Sequence, residues 1–288
     1  MNATGMTATT SRRLGNAALP LLGIVLVVWS LLPVYHMAVV SLSPDDELFD
    51  GTLAPAHPTL DNYATVLSQD DYTVQFFWVQ LWNSIVVSGF SAFGILAIGT
   101  LAAFAIVRLQ PRWGGLLTNT ALATYVIPLS FLAIPLYKTM ANYNLLGTRA
   151  ALVLATITFG SPYAIWVLSQ YARSSIPFEL DEAATIDGAG PWRMYFQIFL
   201  PLMKPPMVVV GIYALLLAWN EYLLAFLFLS DEEAMTLPVT LGNFLNSDQV
   251  PWNLMMATAL LYALPPVIIY YCFQHNVSSG STAGGVKN

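Results

Sequence analysis

The chain has 288 residues, 57% hydrophobic and only 9% charged, with a net charge of −6. Soluble domains average roughly 45–50% apolar and about 25% charged residues, so this composition belongs in a bilayer rather than in water. No basic cluster is present to neutralise phosphates, which argues against a nucleic-acid partner. The single Cys272 excludes an intramolecular disulfide and reads as a small buried hydrophobe.

The N-terminal Ser11-Arg12-Arg13-Leu14 superficially resembles a twin-arginine signal. The apolar run that follows, 17–42, is too long for a signal h-region of about 7–15 residues. It is expected to be an uncleaved first transmembrane helix, preceded by a cytoplasmic tail at 1–16. Apolar stretches of about 17–25 residues then predict five more spans, at 82–107, 115–137, 150–172, 206–229 and 254–273. The fold class expected is an all-α membrane protein of six transmembrane helices, with a transmembrane domain over 17–273 and a cytoplasmic tail at 274–288.

Orientation follows from the cations. With a cytoplasmic N-terminus, Arg12, Arg13, Arg108, Arg112, Arg173, Arg193, Lys204 and Lys287 lie inside, and only Lys138 and Arg149 outside. Acidic residues show the reverse trend: Asp45, Asp46, Glu47, Asp50, Asp61, Asp70, Asp71, Asp231, Glu232, Glu233 and Asp248 lie outside. Both termini are expected to be cytoplasmic.

Two external segments are long enough to carry structure. Pro44, Pro55 and Pro58 make 43–81 irregular at its start. Tyr72, Phe76, Phe77, Trp78 and Trp82 at its end read as an interfacial aromatic belt or a helix lying on the membrane. Residues 230–253 form the second, a polar loop.

The loop at 174–204 is built differently from the spans. Ser174 or Ser175 is expected to cap a first short helix from 177 to 187, with Pro177 in its first turn. Glu179, Asp181 and Glu182 fall where the positive end of the helix dipole favours them, and Gly188 follows as a left-handed stop. Leu180, Ala183, Ala184 and Asp187 share one face, and two alanines keep that helix slim enough for a groove on another protein. Pro191 starts a second short helix bearing Trp192, Tyr195, Phe196 and Phe199. Pro201, Pro205 and Pro206 then break the path before the fifth span.

Glu182, Ala183 and Ala184, then Gly188, then Ile198, Leu200 and Pro201 form a seven-position pattern with a chance probability on the order of 10⁻⁸ per starting point, from ordinary residue frequencies. That pattern resembles the EAA loop of the permease subunits of type I ABC importers, and more of the chain resembles the maltose-type G subunit of the carbohydrate class. Leu60-Asp61-Asn62-Tyr63, Asn83-Ser84, Leu145-Leu146-Gly147-Thr148 and Ala218-Trp219-Asn220-Glu221 match family segments along the chain. The ending, Gly280-Ser281-Thr282-Ala283-Gly284-Gly285-Val286-Lys287, is similar to the family tail, with Ser281 and Gly285 as departures.

The resemblance implies that Glu182, Ala183, Ala184, Asp187 and Gly188 form a coupling helix that docks on a separate ATP-binding subunit. Two copies of that subunit would bind the ATP and Mg, and this chain would bind no cofactor or metal. It further implies a second permease completing a heterodimeric pore, an external sugar-binding protein, and no catalytic residue here. The sequence agrees: it holds no Gly-Lys-Ser or Gly-Lys-Thr phosphate loop and no Gly-x-Ser-x-Gly elbow, and its three histidines are scattered.

Substrate-pathway candidates are Tyr213, Asn220 and Glu221 in the fifth span, with Tyr125, Ser161 and Tyr163 as weaker ones. A carboxylate within a span costs roughly 2.5–3.5 kcal/mol on insertion scales, so Glu221 should face protein or a wet cavity. An aromatic plane with an amide or carboxylate suits a sugar, but Asn220 and Glu221 could equally bond neighbouring helices. The coupling loop alone is also compatible with import of another solute, glycerol phosphate or a peptide. An ion-coupled secondary transporter would want more intramembrane charge than Glu221 and an internal repeat.

Overall fold

A computed structural model describes residues 5–48 and 53–282, with side chains described from 20 to 274 within those ranges. The tail positions from 283 onward, and Asp50, lie outside the described residues. Two compact units are present, 1–71 with 247–261, and 72–246 with 262–288.

In the first unit, α1 (Gly5–Ser41) carries the apolar stretch Pro20–Ser41, every residue of which is at least partly exposed until Ser41 itself. A helix C-terminus leaves carbonyls without intrahelical partners. Here α2 (Asp61–Ser68) supplies the donor: Asn62 Nδ2 donates to Ser41 O at 3.0 Å and to Ser43 O at 3.2 Å. The Tyr63 hydroxyl meets Ser41 Oγ at 2.7 Å. The Asn-Tyr pair is therefore a lock on the end of the first helix.

The second unit is built on α3 (Phe77–Arg108), which begins five residues before the expected start at 82 and takes Phe77, Trp78 and Trp82 into its first turns. The third span is not one helix. α4 (Gly114–Ala123) runs on through a tight turn to Val126, and α5 (Leu129–Asn142) leaves at an angle of 101°. Pro128 explains the bend, since it has no N–H to continue the ladder and forces the preceding Ile127 to extended backbone (ψ 115°).

α6 (Arg149–Ser175) lies parallel to α3: Arg149 meets Asn83 at one end and the carbonyl of Ile176 meets Arg108 at the other. Small residues allow the approach. A Cβ placed on Gly99 would stand 2.9 Å from Ala164 Cβ, and one on Gly160 would stand 2.4 Å from Ile95 Cδ1.

The loop helices follow: α7 (Glu179–Ile186), α8 (Pro191–Met194), a π-helical turn at Tyr195–Phe199, and α9 (Leu200–Leu202). α10 (Lys204–Trp219) sets off at 78° to them, with Pro205 and Pro206 in its first turn rather than breaking the chain ahead of it. The fifth span as expected, 206–229, is interrupted after Trp219 and resumes as α11 (Leu223–Phe228). The chain then folds back as α12 (Leu237–Asn243), where Leu237 N donates to Ser84 Oγ at 3.0 Å and Thr240 Oγ1 to Gln80 Oε1 at 2.6 Å. α13 (Trp252–Thr282) contains Pro265 and Pro266, and its apolar part, Trp252–Gln274, extends two residues earlier than expected. Cys272 is exposed there rather than buried.

Among the described residues four helices are long and apolar enough to cross a membrane, and six spans result if each bent pair counts as one. Successive passes of the second unit alternate. Thr100 and Phe104 of α3 meet Tyr195 and Phe199, whereas Asn83 meets the carbonyls of Glu233 and Met235, so the chain from 195 to 235 crosses from one end of α3 to the other. The end of the unit that holds Arg108 and α7 is thus opposite the end that holds Asn83 and Arg149.

Candidate functional site

α6 stops at Ser175 because Ile176 precedes Pro177 and is held extended (φ −113°, ψ 110°). Neither Ser174 nor Ser175 caps the next helix; both lie in the last turn of α6, where Ser174 Oγ donates to Tyr171 O at 3.3 Å. α7 starts at Glu179 without a side-chain cap, two residues later than expected. The three acidic residues of its first turn compensate at the positive end of the dipole. Its other end is as read from the sequence: Gly188 has φ +74°, and Gly188 N and Ala189 N donate to Thr185 O and Ala184 O at 3.0 and 2.9 Å.

One helix face turns inward. Ala184 is 7% exposed, and Asp181 Oδ2 lies 2.8 Å from Nη1 of Arg108, whose own side chain is 1% exposed. Arg108 Nη2 also donates to Ile176 O at 2.9 Å, and its guanidinium sits 4.7 Å from the centre of the Phe178 ring. Burial pushes the Asp181 carboxyl above the ordinary carboxylate value, and the neighbouring Arg108 opposes this.

The opposite face, Glu179, Glu182, Ala183 and Ile186, is exposed, as are Asp187 and Gly188. Ile186 is 86% exposed and Trp192 67%, the latter stacked on Phe196 at 6.1 Å. The single face proposed from spacing is therefore divided: Ala184 is turned into the chain, while Ala183 and Asp187 point out. The second half of the loop returns to the core. Tyr195 and Phe199 pack edge-on against Phe104 at 5.4 and 5.2 Å, and the Tyr195 hydroxyl meets Thr100 Oγ1 at 2.8 Å.

The fifth-span candidates separate into two places. At the break after α10, Asn220 Nδ2 donates to Leu216 O at 2.8 Å, and Glu221 Oε1 accepts from Leu224 N at 2.9 Å. Tyr262 stacks on Trp219 at 5.1 Å and its hydroxyl donates to Trp219 O at 2.6 Å. Glu221 and Tyr262 thereby satisfy backbone groups at the interruption, which a bilayer otherwise penalises, while Asn220 adds a second donor to a Leu216 carbonyl that already accepts from Asn220 N at 3.1 Å. Asn220 and Glu221 thus bond their own chain locally rather than a neighbouring span.

Elsewhere, Tyr213 of α10 meets Tyr163 of α6 at 4.3 Å, and Tyr125, just before the Pro128 bend, lies 6.4 Å from Tyr163. The Tyr125 hydroxyl donates to Phe159 O at 3.0 Å. All three tyrosines are half-buried. Ser161 is not with them: it is buried and donates to Ile157 O at 2.6 Å. Sequence reasoning missed Arg108 and Ile186. A cation at the last residue of a span facing an acidic helix was the available signal for the first.

An all-α unit with spans of alternating direction and a short helix at one end defines a multi-pass membrane protein. The chain belongs to the binding-protein-dependent transport system inner membrane component family, which matches residues 94–281. It is 34% identical over 263 residues to the trehalose transport system permease protein SugB of Mycobacterium tuberculosis, covering 91% of this chain and 94% of that one. It is 32% identical over 265 residues to the trehalose/maltose transport system permease protein MalG of Thermococcus litoralis, covering 92% and 94%. In fold it is similar to a chain of a bacterial ABC transporter involved in the import of the acidic polysaccharide alginate, with a TM-score of 0.75 at 22% identity, covering 92% and 97%. The chain is accordingly an ABC-importer permease of the inner membrane, a non-catalytic subunit.

Proposed function

We propose that this permease forms half of the translocation pore of an ATP-driven sugar importer and takes its drive through α7. The observation that carries the mechanism is the divided helix: one face is fastened to the end of α3 by Arg108, and the other leaves Ile186, Ala183 and Glu182 exposed. A largely exposed isoleucine on this loop helix, with an exposed stacked pair Trp192–Phe196 later in the same loop, suits a protein cleft better than water. A separate ATP-binding subunit, present in two copies and holding ATP and Mg, would receive it. Its closure would move α7 as a rigid lever and switch the pore between two states.

Arg108, Arg173, Arg193 and Lys204 gather near the α7 end, and Asp231, Glu232 and Glu233 near the other. That supports a cytoplasmic α7 and cytoplasmic termini. Trehalose, maltose and melibiose/raffinose/stachyose in the names of relatives support a sugar as cargo. Tyr125, Tyr163 and Tyr213 supply aromatic planes for it, with a second permease completing the heterodimeric pore and an external sugar-binding protein delivering substrate.

Reconstitution with the neighbouring gene products tests the reading. ATPase activity should rise only with the cognate binding protein and its sugar, and Ile186→Asp should abolish uptake while leaving the chain in the membrane. Full uptake by that variant would overturn the role of α7.

A further inference from the structure

At the end of the second unit opposite α7, a cleft of about 800 Å³ is lined by Trp78, Trp82, Asn83, Arg149, Asp231 and Glu233, among others. Arg149 is held in it by construction. Its Nη1 donates to Asn83 Oδ1 at 2.9 Å, and Asn83 is 1% exposed with its amide donating to the carbonyls of Glu233 and Met235, both at 2.8 Å. A buried amide whose own donors are committed leaves its oxygen to orient one guanidinium, and an oriented guanidinium matches a phosphate. Asp231 and Glu233 line the same cleft, with Asp231 Oδ1 also accepting from Glu233 N at 3.3 Å.

The level of this cleft is set by the helices. Trp78 and Trp82 lie in the first two turns of one span, α3, and Arg149 is the first residue of another, α6. That is where indoles and cations meet the lipid headgroups. The same face of α3 continues as an apolar groove of about 420 Å³ lined by Ile85, Val86, Gly89, Phe90 and Phe93. These follow Trp82 at helical spacing, and a Cβ on Gly89 would meet nothing within 4 Å.

We propose that cleft and groove together form a site for one zwitterionic phospholipid with a primary ammonium, of the phosphatidylethanolamine type. The phosphate is taken by Arg149, the ammonium by Asp231 and Glu233, and an acyl chain lies along Gly89 between Ile85 and Phe93. A phosphatidylglycerol would satisfy Arg149 but meet two carboxylates with no cation. A choline headgroup has no N–H to give them.

The test uses the full-length chain with its co-purifying subunits in mild detergent. It is exposed to phosphatidylethanolamine, phosphatidylglycerol or phosphatidylcholine of matched chains, and retained lipid is counted by native mass spectrometry. Phosphatidylethanolamine should be retained preferentially. Arg149→Gln should lower its retention about tenfold, as loss of a charge-assisted hydrogen bond predicts. Gly89→Leu, which fills the groove and leaves the cleft intact, should also lower it. Asp231→Asn with Glu233→Gln should erase the preference over phosphatidylglycerol. Equal retention of the three lipids would overturn the proposal, as would retention indifferent to Gly89→Leu in protein of unchanged helicity. Displacement by inorganic phosphate alone would overturn it too, by assigning a bare anion site, and so would a cross-link from Gly89→Cys to another subunit, by assigning the groove to protein.

Discussion

Arg108 and Asp181 join the last residue of a membrane span to the inner face of the loop helix at 2.8 Å, and both side chains are largely withdrawn from water. Exposed ion pairs contribute about 0.2–1 kcal/mol and breaking a buried one costs about 3–5, so this half-sheltered pair should fall between. Arg108→Gln is expected to cost about 1–3 kcal/mol, measured as a fall in thermal midpoint. If α7 is the lever, it should also lower sugar transported per ATP hydrolysed. Arg108→Lys should restore little, because an ammonium cannot hold Asp181, the Ile176 carbonyl and the Phe178 face together.

The same pair carries a pH signature. Asp181 is raised above its ordinary value by burial, with Arg108 pulling it back. Removing the cation should raise it further. A carboxyl whose folded-state pKa lies above its unfolded one binds more protons when folded, so stability falls as pH rises from the unfolded value through the folded one. Arg108→Gln should therefore lose thermal midpoint on going upward from about pH 4, and adding Asp181→Asn should remove that slope. A slope that survives the double substitution would place its origin elsewhere.

Gly188 and Ile186 separate shape from contact. Gly188 holds φ +74°, a conformation costing a residue with a Cβ roughly 1–2 kcal/mol. Gly188→Ala should loosen the end of α7 and reduce coupling, while Gly188→Asn should retain more of it. Ile186→Asp changes no internal packing, since Ile186 is 86% exposed. It should leave thermal stability within about 0.5 kcal/mol yet lose co-purification of the ATP-binding subunit.

How far the sequence carried depended on whether a signal was local. Apolar run lengths placed four spans as single helices, because a bilayer demands internally bonded helices of fixed length, but not the bends in the third and fifth. Gly188 was legible because only a left-handed stop wants glycine there. The bend at Pro128 was also local chemistry, but a hydropathy window averages over it. Ala184 and Ala183 are adjacent and alike, so spacing could not say which one faces inward; Arg108 decides that by pairing with Asp181, 73 positions along the chain. Glu221 looked like an interhelical group until the interruption after Trp219 gave it the Leu224 N–H to accept from, and Asn220 turned back onto the Leu216 carbonyl of its own helix.

The α3–α6 contact should be intolerant of size. Gly99→Leu must displace Ala164 and Leu168, whose Cβ and Cδ1 would lie 2.9 and 3.1 Å from the first added carbon. Overpacking of this kind costs about 1–3 kcal/mol. Reduced accumulation of folded protein is expected. Gly89→Ala on the same helix, with nothing within 4 Å of its added carbon, should be neutral or stabilising.

Glu221 and Tyr213 distinguish architecture from substrate contact. Glu221 accepts from Leu224 N at the start of α11, so Glu221→Ala should cost about 1 kcal/mol, as lost helix caps do. Glu221→Gln, which retains an acceptor oxygen, should recover most of that stability and of the transport. Tyr213 donates no cap; it faces Tyr163 at 4.3 Å in a cluster with Tyr125. If the cluster touches sugar, Tyr213→Ala should slow uptake most at limiting sugar, and Tyr213→Phe should preserve the aromatic share of that contact. Equal losses at limiting and saturating sugar for Tyr213→Ala would instead make the tyrosines packing residues and move the sugar path elsewhere in the pore.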